Sequence, residues 1–556
     1  MNKKEIFIFA GIVVLFLALR LPAINHLYHQ DEYKWPNIVL SDNGYIPHPP
    51  VGQFIYKNLG QVFGPDNFRL IPLLFSFINL FLLFYLVKII FNTKTALWSV
   101  GLFAISFYSV LASLMVDIDG AVMPSFFLIM LIGYFRLRKM NFQFRIFNFQ
   151  NLIWIGLLII GAIGGFFVKA SFVIAIGALA LDFAFEKNVF SDRKKILKYL
   201  LFMIGGAIAL GLLLLLAKLI FPFFNLEASV KYWEHFFKLG GRGWLQTFIQ
   251  FAKSMMYTSP LLVLSIIFVD KEIFKKMRVF FIFIGLGLLF YLVLFDFSIG
   301  ALDRYFQFLI IPLCIIAGSI FSQNFSKSNN SPSLAPLGPS LITREGIAIG
   351  VITIIIFSLQ FLNHFVPPLY PKTEWLARLV SLKWDFLFPF TGGSGPTGFY
   401  ISFLFIALIW VTSLILVRKK LLLGILVLGI LYNAVFIEEY LFGKINGSPY
   451  DLFRDAKEFI IKDQNIKLVL VYNDIGGYEI QKLGKYERRL YAAPQFEDTY
   501  KDFFKTFSGQ ILYINIPKIG DNNFYYNYLN SCKNIYERKD GYITAQVLDC
   551  NNAKIK

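Results

Sequence analysis

Runs of about twenty apolar residues recur along almost the whole chain, at 6–24, 68–91, 96–114, 120–135, 151–168, 170–185, 199–221, 256–269, 279–297, 304–321, 346–362, 399–417 and 421–440. One helix of that length crosses the hydrocarbon of a bilayer. The pattern therefore predicts a polytopic α-helical membrane protein with about thirteen transmembrane helices. The links between the runs alternate in charge. Lys3/Lys4, Lys94, Arg136–Arg145, Lys187–Lys198, Lys271–Arg278, 322–344 and Arg418–Lys420 fall on one side, which the positive-inside rule assigns to the cytoplasm. The other side receives 25–67, the turns near Asp117 and Lys169, 222–255, Ser298–Asp303, 363–398 and the C-terminal tail. An odd number of spans puts the N-terminus inside and the C-terminus outside. The first run is expected to be a retained span, because Ile6–Leu19 shows no clear small-residue cleavage site.

After Tyr440 the period changes, which divides the chain into a transmembrane domain over 1–440 and a small α/β domain outside the membrane over 441–556. Asp451–Asp463 reads as an amphipathic helix, Lys467–Asn473 as a buried strand, Tyr478–Leu483 as a short helix and Gln510–Pro517 as a strand. Asn534–Glu537 and Tyr542–Leu548 read as a hairpin across Lys539-Asp540-Gly541. Within the first domain, the Ser/Asn/Pro-rich stretch that opens 322–344 lacks periodicity and is expected to be a cytoplasmic linker. Cys532 and Cys550 both lie in the outer domain, where an oxidising compartment favours a disulfide; two buried thiols are the alternative.

Composition narrows the class. The chain is 57% hydrophobic and 16% charged, with a mean hydropathy of +0.61, against roughly 25% charged in soluble domains. A soluble fold, disorder, collagen and a disulfide scaffold are excluded. Lys and Arg number 53 against 35 acids, a net +18, and cytoplasmic loops account for that excess without a nucleic-acid partner.

Candidate chemistry gathers on the expected outer side. The first outer loop, 25–67, carries His26, His29, Asp31, Glu32, Lys34 and Trp35, then Asn43-Gly44-Tyr45 and His48-Pro49-Pro50, with Trp35–Leu40 and Val51–Phe63 reading as surface helices. Asp117 and Asp119 interrupt the apolar pattern between two spans, a position too costly for lipid. Lys57, Arg69, Lys169, Arg242 and Arg304 join them at the same face. Each has a plain alternative. The acids of the loop suit a helix N-terminus, Asp117 and Asp119 a solvated cap, Lys169 a snorkelling lysine, and Arg304 a salt bridge to Asp303. His26 and His29 beside the acids offer a weak metal pair, so a divalent cation is optional and no cofactor is required.

These motifs together resemble the C-type glycosyltransferases, polytopic enzymes that use polyprenyl-phosphate sugars. The similarity is to the branch of protein O-mannosyltransferases and lipid A aminoarabinose transferases. It rests on Leu19-Arg20-Leu-Pro22, Asp31-Glu32-Tyr33, Asn43-Gly44-Tyr45, His48-Pro49-Pro50, Asp117 with Asp119, Gly165 to Lys169 and Arg304-Tyr305 to Pro312, in order over roughly 1–320. The resemblance implies a polyprenyl-phosphate sugar donor, an active site outside the plasma membrane of a bacterium or archaeon, inversion at the anomeric carbon, and Asp31 as the base.

The residues suit that chemistry. A carboxylate can take the acceptor hydroxyl's proton as it attacks, and cations can steady the departing phosphate. Asp31 offers the first. Lys57, Lys169, Arg304 and Tyr305 offer donor contacts, with Asp117 and Asp119 for sugar hydroxyls or a cation. Glu32 would orient Asp31 or bind the acceptor, while His48, Pro49 and Pro50 shape the loop. The expected partners are the donor, membrane lipids and an acceptor that protein, glycan and lipid hydroxyls all satisfy. A transporter or lipid flippase is the rival, but its sites would lie near the bilayer midplane.

Overall fold

The computed structural model describes residues 1–28, 30–41, 44–140, 149–237, 262–295, 305–327, 429–444, 447–472, 476–490, 497–514, 524–541 and 543–553, with strands at 385–390 and 397–402 and a few single positions. The chain is an integral membrane protein. Among the described residues seven helical stretches are long and apolar enough to span a bilayer: Lys3–Ala23, Leu70–Ile90, Ile118–Lys139, Asn151–Val168, Arg193–Ile220, Lys271–Leu294 and Phe306–Asn324. An eighth is counted if Thr93–Ile105 and Phe107–Leu114, bent by 67°, act as one.

The helices that position the site are α1 (Lys3–Ala18), α2 (Gln30–Val39), α3 (Pro50–Phe63), α4 (Leu70–Ile90), α5 (Thr93–Ile105), α6 (Phe107–Leu114), α7 (Met123–Lys139), α8 (Phe149–Val168) and α9 (Val173–Glu186). They are followed by α10 (Arg193–Ile220), α11 (Leu226–Phe236), α12 (Lys271–Leu289) and α13 (Ile310–Lys327). The run expected at 96–114 is the bent pair α5–α6, and the run at 170–185 forms the 14-residue α9.

Two boundaries differ from expectation. Helix α13 continues to Lys327, six residues into the linker expected at 322–344, because after Pro312 in its first turn no proline occurs before Pro332 to stop it. Strand β2 (Thr397–Ser402) pairs antiparallel with β1 (Asp385–Phe390) and covers the start of the span expected at 399–417; its aromatic and β-branched residues follow a glycine-rich turn, which favours a hairpin. The run at 346–362, residues 256, 257 and 259–261 of the run at 256–269, and the remainder of 399–417 lie outside the described residues.

The bend between α5 and α6 is closed by a side chain. Without a continuous helix the carbonyls of Phe103 and Ala104 lose the donors they would meet four residues on. Arg20, fully buried, supplies them: Nη1 reaches Ala104 O at 3.0 Å and Nη2 reaches Phe103 O at 3.5 Å. The same guanidinium donates to Ser113 Oγ and Ser109 Oγ, and its face lies on the Phe16 ring. The freed Phe107 N–H goes to Asn433 Oδ1 at 2.9 Å. The two freed carbonyls and the Phe107 N–H at the break thus find partners away from water, as lipid requires.

Helices α7 and α8 pack as a tight hairpin. A Cβ on Gly133 would stand 2.6 Å from the Trp154 carbonyl oxygen, and one on Gly161 would run into the Met130 backbone. Glycine at both crossings lets the backbones touch, the packing mode of membrane helices. At the end of the hairpin near its loop, Asp182 of α9 accepts from Tyr134 at 2.6 Å, Arg278 Nε at 2.5 Å and Arg138 Nη1 at 3.3 Å. That fully buried acid ties α7, α9 and α12 together. The other end carries the site.

The C-terminal part holds a five-stranded sheet of order β4-β3-β5-β7-β6: β3 (Val469–Tyr472), β4 (Tyr486–Leu490), β5 (Gln510–Ile514), β6 (Lys533–Asp540) and β7 (Ile543–Asp549). β3 runs parallel to β4 and β5, and β7 antiparallel to β5 and β6. Helix α14 (Pro449–Lys462), capped by Ser448, covers one face through Leu452, Phe453, Ala456 and Ile460. Helices α16 (Glu497–Thr506) and α17 (Phe524–Ser531) cover the other through Phe504, Tyr528 and Leu529, while the short α15 (Gly477–Lys482) follows β3. A Cys532–Cys550 disulfide joins the start of β6 to the end of β7. The helix, strand and hairpin expected here are present. Strand β4 escapes the sequence pattern because Glu487, Arg488 and Arg489 dominate it, a composition suited to its place at a sheet edge.

Candidate active site

The hairpin of α7 and α8 opens where its two flanking segments meet. Asp117 caps the irregular turn Ile118–Val122 that leads into α7, its Oδ1 accepting the Ile118 N–H at 2.6 Å. Tyr56 of α3 donates to the Asp117 carbonyl at 2.8 Å, which fixes the turn against the first loop. Asp119 follows, and Lys169 stands directly after α8. Because α7 and α8 are antiparallel and in backbone contact, the two residues converge: Lys169 Nζ lies 2.7 Å from both Asp119 oxygens. Asp119 and Lys169 are 3% and 8% exposed, so neither is a solvated cap or a snorkelling lysine.

An ammonium has three N–H donors. Two serve Asp119, and the remaining side of Nζ sits 4.1 Å from the centre of the Tyr305 ring. Tyr305 stacks at 5.8 Å on Tyr291. Together they wall a cavity of about 220 Å³ lined by His48, Lys169, Ser171, Tyr232, Trp233 and Phe237, among others. An apolar chamber of about 30 Å³ adjoins it, sharing Ser171 and Tyr291 and reaching Gln307. The arrangement is a mostly aromatic cavity with one lysine head at its wall, suited to a ligand that combines an anion with ring or hydroxyl surface.

A second ion pair stands behind α2. Arg69, just before α4, forms a two-pronged pair with Glu32, Nη1 to Oε1 at 2.6 Å and Nη2 to Oε2 at 2.7 Å. Its other N–H groups go to the carbonyls of His26 (3.1 Å), Leu27 (2.7 Å) and Leu114 (2.5 Å). Glu32 Oε1 also accepts the Val116 N–H at 2.9 Å. The pair is buried on both sides and binds the first loop to the acidic segment 114–119. Glu32 is thereby turned to Arg69 rather than displayed to an acceptor.

The first loop contains the two short helices expected of it. Pro49 in an extended conformation and Pro50 at the first helical position start α3, and Gln53 stitches the preceding turn, donating to Gly44 O at 2.7 Å and accepting Ile46 N–H at 3.2 Å. That geometry carries His48 into the Lys169 cavity. Lys57 is half-buried on α3 and does not line the cavity. Asp31 belongs to the first turn of α2; its side chain, His29 and Arg304 lie outside the described residues.

Residues 47–221 match the model of a family described as dolichyl-phosphate-mannose-protein mannosyltransferase. Over its whole length the fold is similar to that of ArnT from Cupriavidus metallidurans, determined bound to undecaprenyl phosphate: 12% identity, 98% of each chain covered, TM-score 0.51. The chain has the fold of a C-type glycosyltransferase. Weaker likenesses, at 13% identity, include two structures from Archaeoglobus fulgidus. One is an oligosaccharyltransferase tethered to an acceptor peptide, with 83% of this chain and 50% of that one covered and a TM-score of 0.27. The other is the oligosaccharyltransferase AglB with an inhibitory peptide and a dolichol-phosphate, with 91% and 58% covered and a TM-score of 0.28. No curated protein matches the chain in sequence.

Within this C-type fold the motif residues His48, Asp117, Asp119 and Lys169 all fall inside the matched segment and share one end of the hairpin. His29, half of the suggested metal pair, lies outside the described residues, and among those described no three His, Cys, Asp or Glu side chains could hold an ion. His26 is instead stacked on Tyr450 with ring centres 3.9 Å apart. Burial there, with Arg69 adding, pushes its imidazole down to about 3. Arg69 was visible in the sequence only as one cation among several. The aromatic walls Tyr232, Trp233 and Tyr291 carry no sequence signal, since aromatics abound in every span.

Proposed function

We propose that the protein is an inverting glycosyltransferase that moves a sugar from a polyprenyl-phosphate carrier to a hydroxyl acceptor at the outer face of the membrane. The observation that carries this is Lys169, held on Asp119 with a side of its ammonium left to an aromatic cavity, at the end of the fold where the first loop arrives. In the proposed step the acceptor oxygen attacks the anomeric carbon while Asp31 takes its proton, and the bond from that carbon to the phosphate oxygen breaks. Lys169, with His48 across the cavity, steadies the charge gathering on the leaving phosphate. Asp119 keeps the ammonium aimed, and the rings of Tyr305 and Tyr291 exclude water from it. Glu32 and Arg69 act on Asp31 from behind by fixing the turn that bears it, a positioning role rather than contact with the acceptor. Arg304 remains a further donor contact in this proposal, Tyr305 the ring beneath the ammonium.

The test is transfer of label from radiolabelled polyprenyl-phosphate sugars by the purified protein, offered a mixed acceptor extract, with Asp31→Asn alongside. We expect transfer by the wild type and none by the variant, which should still bind polyprenyl phosphate. Full activity in the variant removes Asp31 as base. No transfer by a folded wild type from any such donor discards the enzyme and turns attention to lipid flipping.

A further inference from the structure

The segment that leads into α2 is gripped from two sides. On the bundle side Arg69 takes the carbonyls of His26 and Leu27 and the carboxylate of Glu32. On the other side three consecutive side chains meet the C-terminal α/β domain. The His26 ring stacks on Tyr450 of α14 at 3.9 Å with the planes 20° apart, and meets Tyr440 edge-on at 5.5 Å. Leu27, half-buried, packs against the hydrophobic core between α14 and the sheet. Tyr28 lies 5.4 Å from Tyr478 of α15, and its hydroxyl accepts the Phe68 N–H at 2.8 Å. Farther along, Asn37 of α2 donates to Gln481 at 3.1 Å, and Lys482 pairs with Asp66.

We propose that the C-terminal domain is a clamp on residues 26–32, making Tyr450 and Tyr478 positioning residues for the transfer reaction. The inference rests on the catalytic role given above to Asp31, which stands three residues beyond Tyr28. A domain that served only to collect acceptor would not need to hold loop side chains against its own core. This one has a complete core on both sheet faces and a disulfide of its own, so the contact with Leu27 serves the loop more than the domain. A one-ångström displacement of a reacting group costs about 10²-fold in rate, which makes a rigid grip on this turn worth having. The aromatic contacts suit that purpose, because stacked rings resist sliding and lose little side-chain freedom on ordering.

The experiment uses the full-length protein in lipid nanodiscs, with Tyr450→Ala, Tyr450→Phe and Tyr478→Ala. Amide exchange at 26–32 is measured beside kcat and KM for a polyprenyl-phosphate sugar. Tyr450→Ala should speed exchange at 26–32 and lower kcat by about 10²-fold while the donor KM stays as in the wild type. Tyr450→Phe should restore both values. Unchanged exchange in Tyr450→Ala and Tyr478→Ala overturns the clamp, as does a kcat at the wild-type level in a variant whose loop has loosened. If Tyr450→Ala fails to fold, Tyr478→Ala decides by the same readings. Should the wild type transfer no sugar, the catalytic proposal fails on that result alone, and the exchange measurement still decides whether the domain holds the loop.

Discussion

Two buried carboxylate–cation pairs stand at the same end of the bundle, and they are built to opposite specifications. In Arg69–Glu32 all five guanidinium N–H groups are engaged, two by the carboxylate and three by carbonyls of His26, Leu27 and Leu114. Nothing more can bind there. In Lys169–Asp119 the carboxylate takes only part of the ammonium, and the remainder meets an aromatic ring and a cavity. Burial alone therefore does not mark a functional charge. Unspent hydrogen-bonding capacity that faces open space is what the proposed function draws on.

Breaking the closed pair should have the largest effect. Arg69→Ala leaves Glu32 and three carbonyls without donors, and the loss of a buried partner costs about 3–5 kcal/mol. We expect a protein that aggregates in detergent or melts far below the wild type, read by thermal unfolding and size exclusion. Arg69→Lys should recover only part of that stability, since an ammonium cannot replace the planar fork. The open pair should respond differently. The double variant Asp119→Asn with Lys169→Gln keeps polar groups of similar size and removes both charges together. It should melt near the wild type yet lose roughly 10²–10³-fold in transfer. Equal loss of stability in the two cases would erase the distinction. A smaller step is Tyr305→Leu, which removes the ring beside the ammonium and should weaken polyprenyl-phosphate binding by roughly 0.5–2 kcal/mol, with Tyr305→Phe close to wild type in a binding titration.

A separate expectation concerns pH. Burial raises the Glu479 carboxyl from 4.5 to about 7, opposed by backbone N–H groups of Glu479 and Tyr28 and by Lys457 and Arg69. An acid raised in the folded state holds more protons there than when unfolded between those values. Its contribution to stability is then full below about pH 4.5 and is lost as pH climbs through about 7. Melting curves from pH 5 to 8 should show that decline in the wild type, and Glu479→Gln should flatten it.

Much of this arrangement was legible beforehand, for a physical reason. Asp119 and Lys169 interrupt apolar runs, and lipid tolerates such residues only with a partner, so their pairing could be sought from composition and order alone. The Pro49-Pro50 start of α3 and the helix, strand and hairpin of the C-terminal domain were likewise readable as local patterns. What could not be read was specific geometry. Glu32 beside Asp31 looks chemically equal to it, and only the fold turns Glu32 toward Arg69. Leu27 looks like any leucine in a loop, and nothing local says that it packs against a core more than four hundred residues away. Glycines at 133 and 161 are unremarkable in an apolar run until the facing backbone is known to touch them.

The guanidinium lodged in the α5–α6 bend also bears on how the chain is made. Arg20 belongs to the first membrane helix, yet its Ser113 partner lies 93 residues later. At 5–20 residues per second that gap is roughly 5–20 s of synthesis. Throughout it, a charged side chain near the end of a newborn apolar helix lacks its eventual cradle and must stay at the bilayer interface or inside the insertion machinery. Arrival of residues 103–113 provides the first dry place for it. The first helix is thus anchored late, by elements that could not keep their own bend without it.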